Sequence, residues 1–157
     1  MKADHLIQRL GLKRLPGEGG YYKETYRSDQ TAGNDRDLST AIYYLITPEA
    51  SSKMHRVSSD EIFHFYFGDP VQMLLLYPTG ESRVVVLGDN LPSGQKPQLV
   101  VPKGTWQGAM VVEGDCGYAF MGTTMAPGFE LDDFELGALE SLLLRFPQHE
   151  MLIRELT

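Results

Sequence analysis

His55, Glu61, His64 and Gln107 are the residues whose types and spacing could do chemistry in this chain. An imidazole and a carboxylate can ligate a metal or trade a proton with a bound molecule. His55 and Glu61 flank the turn Ser58-Ser59-Asp60, so the two side chains can meet whatever the strand parity. Glu61 opens an aromatic run in which Phe63, Phe65 and Phe67 share its face while Ile62, His64 and Tyr66 point the other way. His64 therefore joins Glu61 only across a bulge. After the turn Pro102-Lys103-Gly104, Thr105, Gln107 and Ala109 share one face, and Trp106 and Met110 the other. The neutral amide of Gln107 is a poor metal ligand and a good partner for a hydroxyl or an amide.

The elements that must position these groups read as strands. Residues 21–28, 40–47, 61–67, 71–77, 82–87, 98–101, 105–112 and 116–122 are short β-branched or aromatic runs. Gly68-Asp69-Pro70, Pro78-Thr79-Gly80, Gly88-Asp89-Asn90 and Glu113-Gly114-Asp115 separate some of them as turns. With no helices between them, they predict antiparallel pairing in a sandwich or barrel. A short helix is expected at residues 4–10, capped by Asp4 and stopped by Gly11. Leu139, Leu142, Leu143 and Phe146 follow a helical spacing, and Pro147 can start a second short helix carrying Met151, Leu152 and Leu156. Residues 132–135 place acidic side chains before that region, where capping explains them.

The 157 residues are expected to form one domain, residues 1–157. With 21 acidic against 14 basic side chains, and the latter scattered, nucleic acid is excluded as a partner. The charged N-terminus and the lack of any long apolar run predict a cytoplasmic protein with no membrane partner. Cys116 reads as a buried, inert thiol on a strand. Residues 73–77 and 84–87 are apolar at both parities, so both faces should be covered. A partner subunit, an N-terminal strand or the C-terminal helices must cover the second face, and a homodimer by strand exchange or sheet packing is expected. The segment Tyr21–Ser28 offers Tyr22, Glu24 and Tyr26 on one face, to a partner or to a pocket.

The two half-motifs around Glu61 and Gln107 resemble those of the cupin superfamily. Its first motif carries two histidines, a glutamate and a closing glycine; its second carries proline, glycine, histidine and asparagine. Glu61, Gly68, Pro102 and Gly104 match. If His55 is the first histidine, Val57 stands at the second, Gln107 at the second-motif histidine and Val111 at the asparagine. Residues 19–28, Ser59–His64, Gly68–Pro70, Pro102–Gln107 and Ala126–Phe129 resemble more closely an uncharacterised branch, the type-five cupins, over residues 4–155. The resemblance implies a double-stranded β-helix, a jelly-roll barrel similar to sugar-nucleotide epimerases, with a short N-terminal helix and C-terminal helices, and a dimer. It leaves the activity open.

The first expected function is binding of a small polar, carbohydrate-like molecule. His55, Glu61, His64, Trp106, Gln107 and Tyr118 are its candidate contacts, over a floor of Phe63 and Phe65. The second is a metal-independent epimerase or isomerase in which His55 or Glu61 abstracts a proton α to a carbonyl and Tyr118 or Tyr77 returns one. No cofactor is expected on these two readings. The third is a divalent-metal enzyme with His55, Glu61 and His64 as ligands. Nucleophilic catalysis and a phosphate loop find no support in the sequence.

Overall fold

In the computed structural model, which describes residues 2–32, 35–112 and 114–157, two antiparallel sheets face each other as a jelly roll. Strands β1 (Lys13–Arg14), β2 (Tyr21–Arg27), β3 (Thr40–Ile46), β5 (Asp60–Gly68), β8 (Gln98–Val101) and β10 (Ala119–Ala126) form one sheet in the order β1-β2-β3-β10-β5-β8. Strands β4 (Ser52–Arg56), β6 (Val71–Leu76), β7 (Ser82–Leu87), β9 (Trp106–Val111) and β11 (Glu135–Leu136) form the other, in the order β11-β4-β9-β6-β7.

Apolar side chains alternate into three clusters. The barrel interior holds Tyr44, Ile46, Phe63, Phe65, Met73, Leu75 and Met121. Helices α2 (Leu139–Arg145) and α3 (Glu150–Leu156) press Leu142, Phe146, Ile153 and Leu156 onto the outer face of the five-stranded sheet, against Met54, Leu74 and Leu76. Helix α1 (Ala3–Leu10) covers Leu45, Tyr118 and Phe120 on the outside of the other sheet. The two-faced apolarity of β6 thus has its cause within the chain: Met73 and Leu75 face the barrel, Leu74 and Leu76 the C-terminal helices. Phe146 is fully enclosed, and its truncation to alanine would cost about 3–5 kcal/mol.

Several expectations change. Helix α1 begins at Ala3 with Lys2 at its N-cap, and Asp4 lies in the first turn, where its charge favours the helix dipole instead of capping. Gly11 does stop the helix, at φ 66°, with its N–H on the carbonyls of Gln8 and Ile7. Met151 is exposed, and Ile153 takes the buried place on α3. Cys116 is exposed, not buried on a strand. Its segment turns because Asp69 accepts the backbone N–H groups of Cys116 and Gly117, at 3.1 and 2.6 Å, and β10 starts only at Ala119. Of the Glu113-Gly114-Asp115 turn, Glu113 lies outside the described residues.

Two bulges decide which side chains enter the barrel. In β5 the pairing with β10 slips by one, Phe65 opposite Met121 and Phe67 opposite Phe120, so Tyr66 is the extra residue. His64 precedes it and stays on the outer face, bonded to Thr124 at 3.0 Å and Gln98 at 3.2 Å. Phe67, expected inside, turns out onto Phe120 and Tyr118. In β2 the extra residue is Thr25, between Glu24 opposite Ile42 and Tyr26 opposite Ala41. Arg27 is thereby directed inward with Tyr22 and Glu24, and Tyr26 is exposed.

Candidate ligand-binding site

A cavity of about 510 Å³ opens at the end of the barrel where β5 begins. Leu15, Ile42, Val57, Met125, Phe129 and Phe134 supply apolar wall, and Glu18, Glu24, Arg27, His55, Glu61 and Glu130 its charged groups. Two of these, His55 and Glu61, are the paired imidazole and carboxylate expected to converge. They are 2% and 7% exposed.

His55 sits on β4, not in a surface loop, and is paired with Gln107 of β9. Its Nδ1 lies 2.7 Å from the Lys53 carbonyl, an acceptor, so Nδ1 carries the proton and donates it. Nε2 is left without a hydrogen bond, 3.9 Å from Glu18 Oε2. Phe134 stacks on the ring at a centroid distance of 5.2 Å.

Glu61 Oε2 accepts the Gln107 side-chain N–H at 2.8 Å. Burial pushes the Glu61 carboxyl above its ordinary range. A positive charge on His55, whenever its ring is protonated, works against this, the negative charge of Glu18 adds to it, and hydrogen bonds from Thr123 and Gln107 oppose it.

Glu18 was not expected in the site, because Pro16–Gly20 reads as a turn-rich connection. Gly19 at φ 104° and Gly20 at φ 70° let that turn lie against β3 and β4; a Cβ at Gly19 would stand 2.2 Å from the Ser51 carbonyl oxygen. The turn thus presents Glu18 Oε1 to the Tyr44 and Ser52 hydroxyls, each at 2.9 Å. Burial and the charge of Glu18 hold the Tyr44 phenol well above its ordinary range, so it remains a hydrogen-bond donor. The one sequence signal was an acid enclosed by glycines beside a strand start.

The mouth is crossed by a strap, residues 127–136, which three arginines hold. Arg27 bonds Glu24, Asp37, Glu130 and the Phe129 carbonyl. Arg36 grips Asp133 through both oxygens, at 3.1 and 2.5 Å. Arg56 bonds Glu135 at 2.8 Å and lies over the Trp106 ring at 4.5 Å. Asp133 does more than cap: it closes a reciprocal box with Glu130 and accepts from Ser58.

The other expected contacts lie elsewhere. Phe63 and Phe65 fill the barrel beyond Glu61 and are core, not lining. His64 is on the outer sheet face. Trp106 packs towards α2 and α3, Tyr118 lies under α1, and Tyr77 packs at the barrel core without lining the cavity. Gln107 is in the site but beneath its surface, fully buried behind Glu61. Tyr22 is the phenol that lines the cavity.

A two-sheet jelly roll with its pocket at one mouth defines a cupin barrel. Residues 4–137 match the family model described as Cupin superfamily (DUF985), and the chain belongs to that family. An uncharacterized protein of Saccharomyces cerevisiae, YML079W, is 32% identical over an alignment of 133 residues that covers 74% of this chain and 66% of that protein. This chain therefore spans just under two thirds of that relative's length. Two solved structures superpose over the whole chain at a TM-score of 0.92: a hypothetical protein from Leishmania major, 33% identical over 99% of its own length, and protein SO0799 from Shewanella oneidensis, 35% identical over 98%. Oxalate decarboxylase from Bacillus subtilis shares the fold at a TM-score of 0.57 and 14% identity, covering 92% of this chain and 36% of that one.

That decarboxylase has Mn(II) centres. The donors here do not fit a cupin metal. Val57 presents an aliphatic wall where the resemblance places an imidazole, and Gln107 spends its N–H on Glu61. Among the described residues no three His, Cys, Asp or Glu side chains are grouped to hold an ion. No helix among the described residues is long and apolar enough to cross a membrane.

Proposed function

We propose that this cupin binds a small polar organic molecule at the mouth of its barrel, with His55 and Glu61 as the groups that orient it. The supporting observation is an apolar-walled cavity of about 510 Å³ whose inner end presents a buried imidazole with Nε2 unbonded. Nε2 has no protein hydrogen bond and is not among the buried unpartnered atoms, so it is open to the cavity and can accept from a ligand donor there. The test is mass spectrometry of small molecules released on denaturing untagged protein. Wild type should carry one species at near-stoichiometric amount, and Val57→Trp, which fills the cavity, should lose it; equal content in both proteins would sink the reading.

A metal-independent isomerase is the second reading, favoured by the fixed Nδ1–H of His55. With that proton held by Lys53, Nε2 is the base that takes a C–H proton α to a carbonyl, leaving an enolate. Tyr22, in place of Tyr118 or Tyr77, is the cavity phenol that returns a proton to carbon. Keto sugars incubated in D₂O should gain deuterium at the α carbon, and His55→Ala should abolish the gain.

A homodimer also belongs to this reading, now resting on β7, whose Val84 stays exposed. Light scattering should give twice the 17.6 kDa chain mass, and a monomer would refute it.

A further inference from the structure

Apart from the hydroxyls of Tyr22, Thr40 and Thr123, the cavity's free hydrogen-bonding capacity is acceptor. Arg27 has five N–H donors, and five protein acceptors take them: Glu24 Oε1 and Oε2, Asp37, Glu130 and the Phe129 carbonyl. The guanidinium therefore has none left for an anion. Glu18 Oε1 is filled by Tyr44 and Ser52, and Oε2 faces His55 Nε2 at 3.9 Å. That spacing is too long for a hydrogen bond between them and short enough for one nitrogen to bridge both. Glu61 lies beside them in the same lining, and hydrogen bonds from Gln107 and Thr123 leave part of the acceptor capacity of its two oxygens unused.

Charge agrees with this count. Four carboxylates line the cavity, Glu18, Glu24, Glu61 and Glu130, against one guanidinium and one imidazole. Carboxylate or phosphate ligands would enter a negative field with no free cationic donor, only neutral hydroxyls such as that of Tyr22. A hydroxyl offers one proton to three acceptors. An ammonium offers three, and its charge offsets the carboxylates.

We propose that the ligand carries a primary ammonium group, seated among Glu18 Oε2, Glu61 and His55 Nε2, on an apolar body lying against Ile42, Met125, Phe129 and Phe134. This rests on the cavity being the binding site. It narrows the ligand from polar molecules in general to amines, and it sets sugar nucleotides, which carry phosphates, outside the class.

The test uses three probes of one shape: cyclohexylamine, cyclohexanol and cyclohexanecarboxylate, titrated at pH 7.5 into the whole protein. Ring resonances of His55 and Phe134 report occupancy. Cyclohexylamine should bind at least ~10-fold more tightly than cyclohexanol, with no response to the carboxylate. Glu18→Gln retains an acceptor for Tyr44 and Ser52 while removing the charge, so it should cut the amine preference ~10-fold and leave cyclohexanol within about twofold. Should that variant fail to fold, Glu130→Gln at the rim reads the same charge dependence more weakly.

Tighter binding of the alcohol or the carboxylate, or an amine preference unchanged in both variants, overturns the ammonium assignment while the cavity stands. Silence of the cavity resonances to all three probes overturns the cavity reading and this one together.

Discussion

Gln107 donates its side-chain amide to Glu61 at 2.8 Å inside the barrel and keeps its own carbonyl oxygen without a partner. The pair is a carboxylate made tolerable by one donor. Gln107→Met keeps volume and removes that donor. It should cost about 1–2 kcal/mol at pH 8, because the loss to Glu61 exceeds the relief of the orphaned oxygen. The cost should shrink towards pH 5 as Glu61 takes a proton. Urea midpoints at the two pH values check this, and an equal or larger cost at pH 5 contradicts it.

Glu61 itself sets a pH dependence. Burial raises its folded-state pKa above the ordinary 4.5, so the folded protein holds the proton more strongly than the unfolded chain. The stabilisation is complete below the unfolded value and is lost as pH rises through the folded one. Glu61→Gln has no such loss. Its Tm relative to wild type should therefore climb between pH 4.5 and pH 8, and a flat or falling difference would show that burial does not raise the Glu61 pKa.

Glu18→Ala takes away the acceptor shared by Tyr44 and Ser52. Tyr44 can turn to the Gly19 carbonyl at 3.1 Å, whereas Ser52 has no such alternative among its hydrogen bonds. The expected loss is about 1–2 kcal/mol by chemical denaturation, and Glu18→Gln should restore most of it. If Gln were as damaging as Ala, the hydrogen bonds would not be the cause.

Arg36→Met should free the strap. Burial acts to raise the Asp133 pKa, yet hydrogen bonds from Ser58, the Glu130 backbone and Arg36 outweigh it and hold the carboxyl below its usual value. Its contribution is present above the unfolded value and lost as pH falls through the folded one. The variant should lose about 1–2 kcal/mol at pH 7, less near pH 3, and speed amide exchange at Phe134. Unchanged exchange would mean that Arg27 and Arg56 suffice as latches.

The central strands and the meeting of His55 with Glu61 across a turn were legible because strand runs, turn residues and parity are local properties. The site's remaining parts were not, and each failure has a physical reason. Glu18 enters through the positive φ of Gly19 and Gly20, which a reading of turns cannot aim. Residues 116–118 were assigned to a strand because the Asp69 carboxylate that bends them lies 47 residues away from Cys116 in sequence. Phe67 and Arg27 changed faces at bulges, which leave no residue signature in this chain. Trp106 and Tyr118 had the right chemistry on the wrong side, claimed by helices whose docking sites only the fold reveals.

The extra residue at Thr25 acts as a one-residue frame shift. Deleting it would leave Glu24 opposite Ile42, Tyr26 opposite Ala41 and Arg27 opposite Thr40 in unbroken alternation, so Arg27 would keep its inward face and its bonds to Glu24, Asp37, Glu130 and the Phe129 carbonyl. Strand β2 thus carries one spare residue. A single-residue deletion is silent to the cavity at this point, where in a strand without a bulge it would exchange the two faces and everything they present.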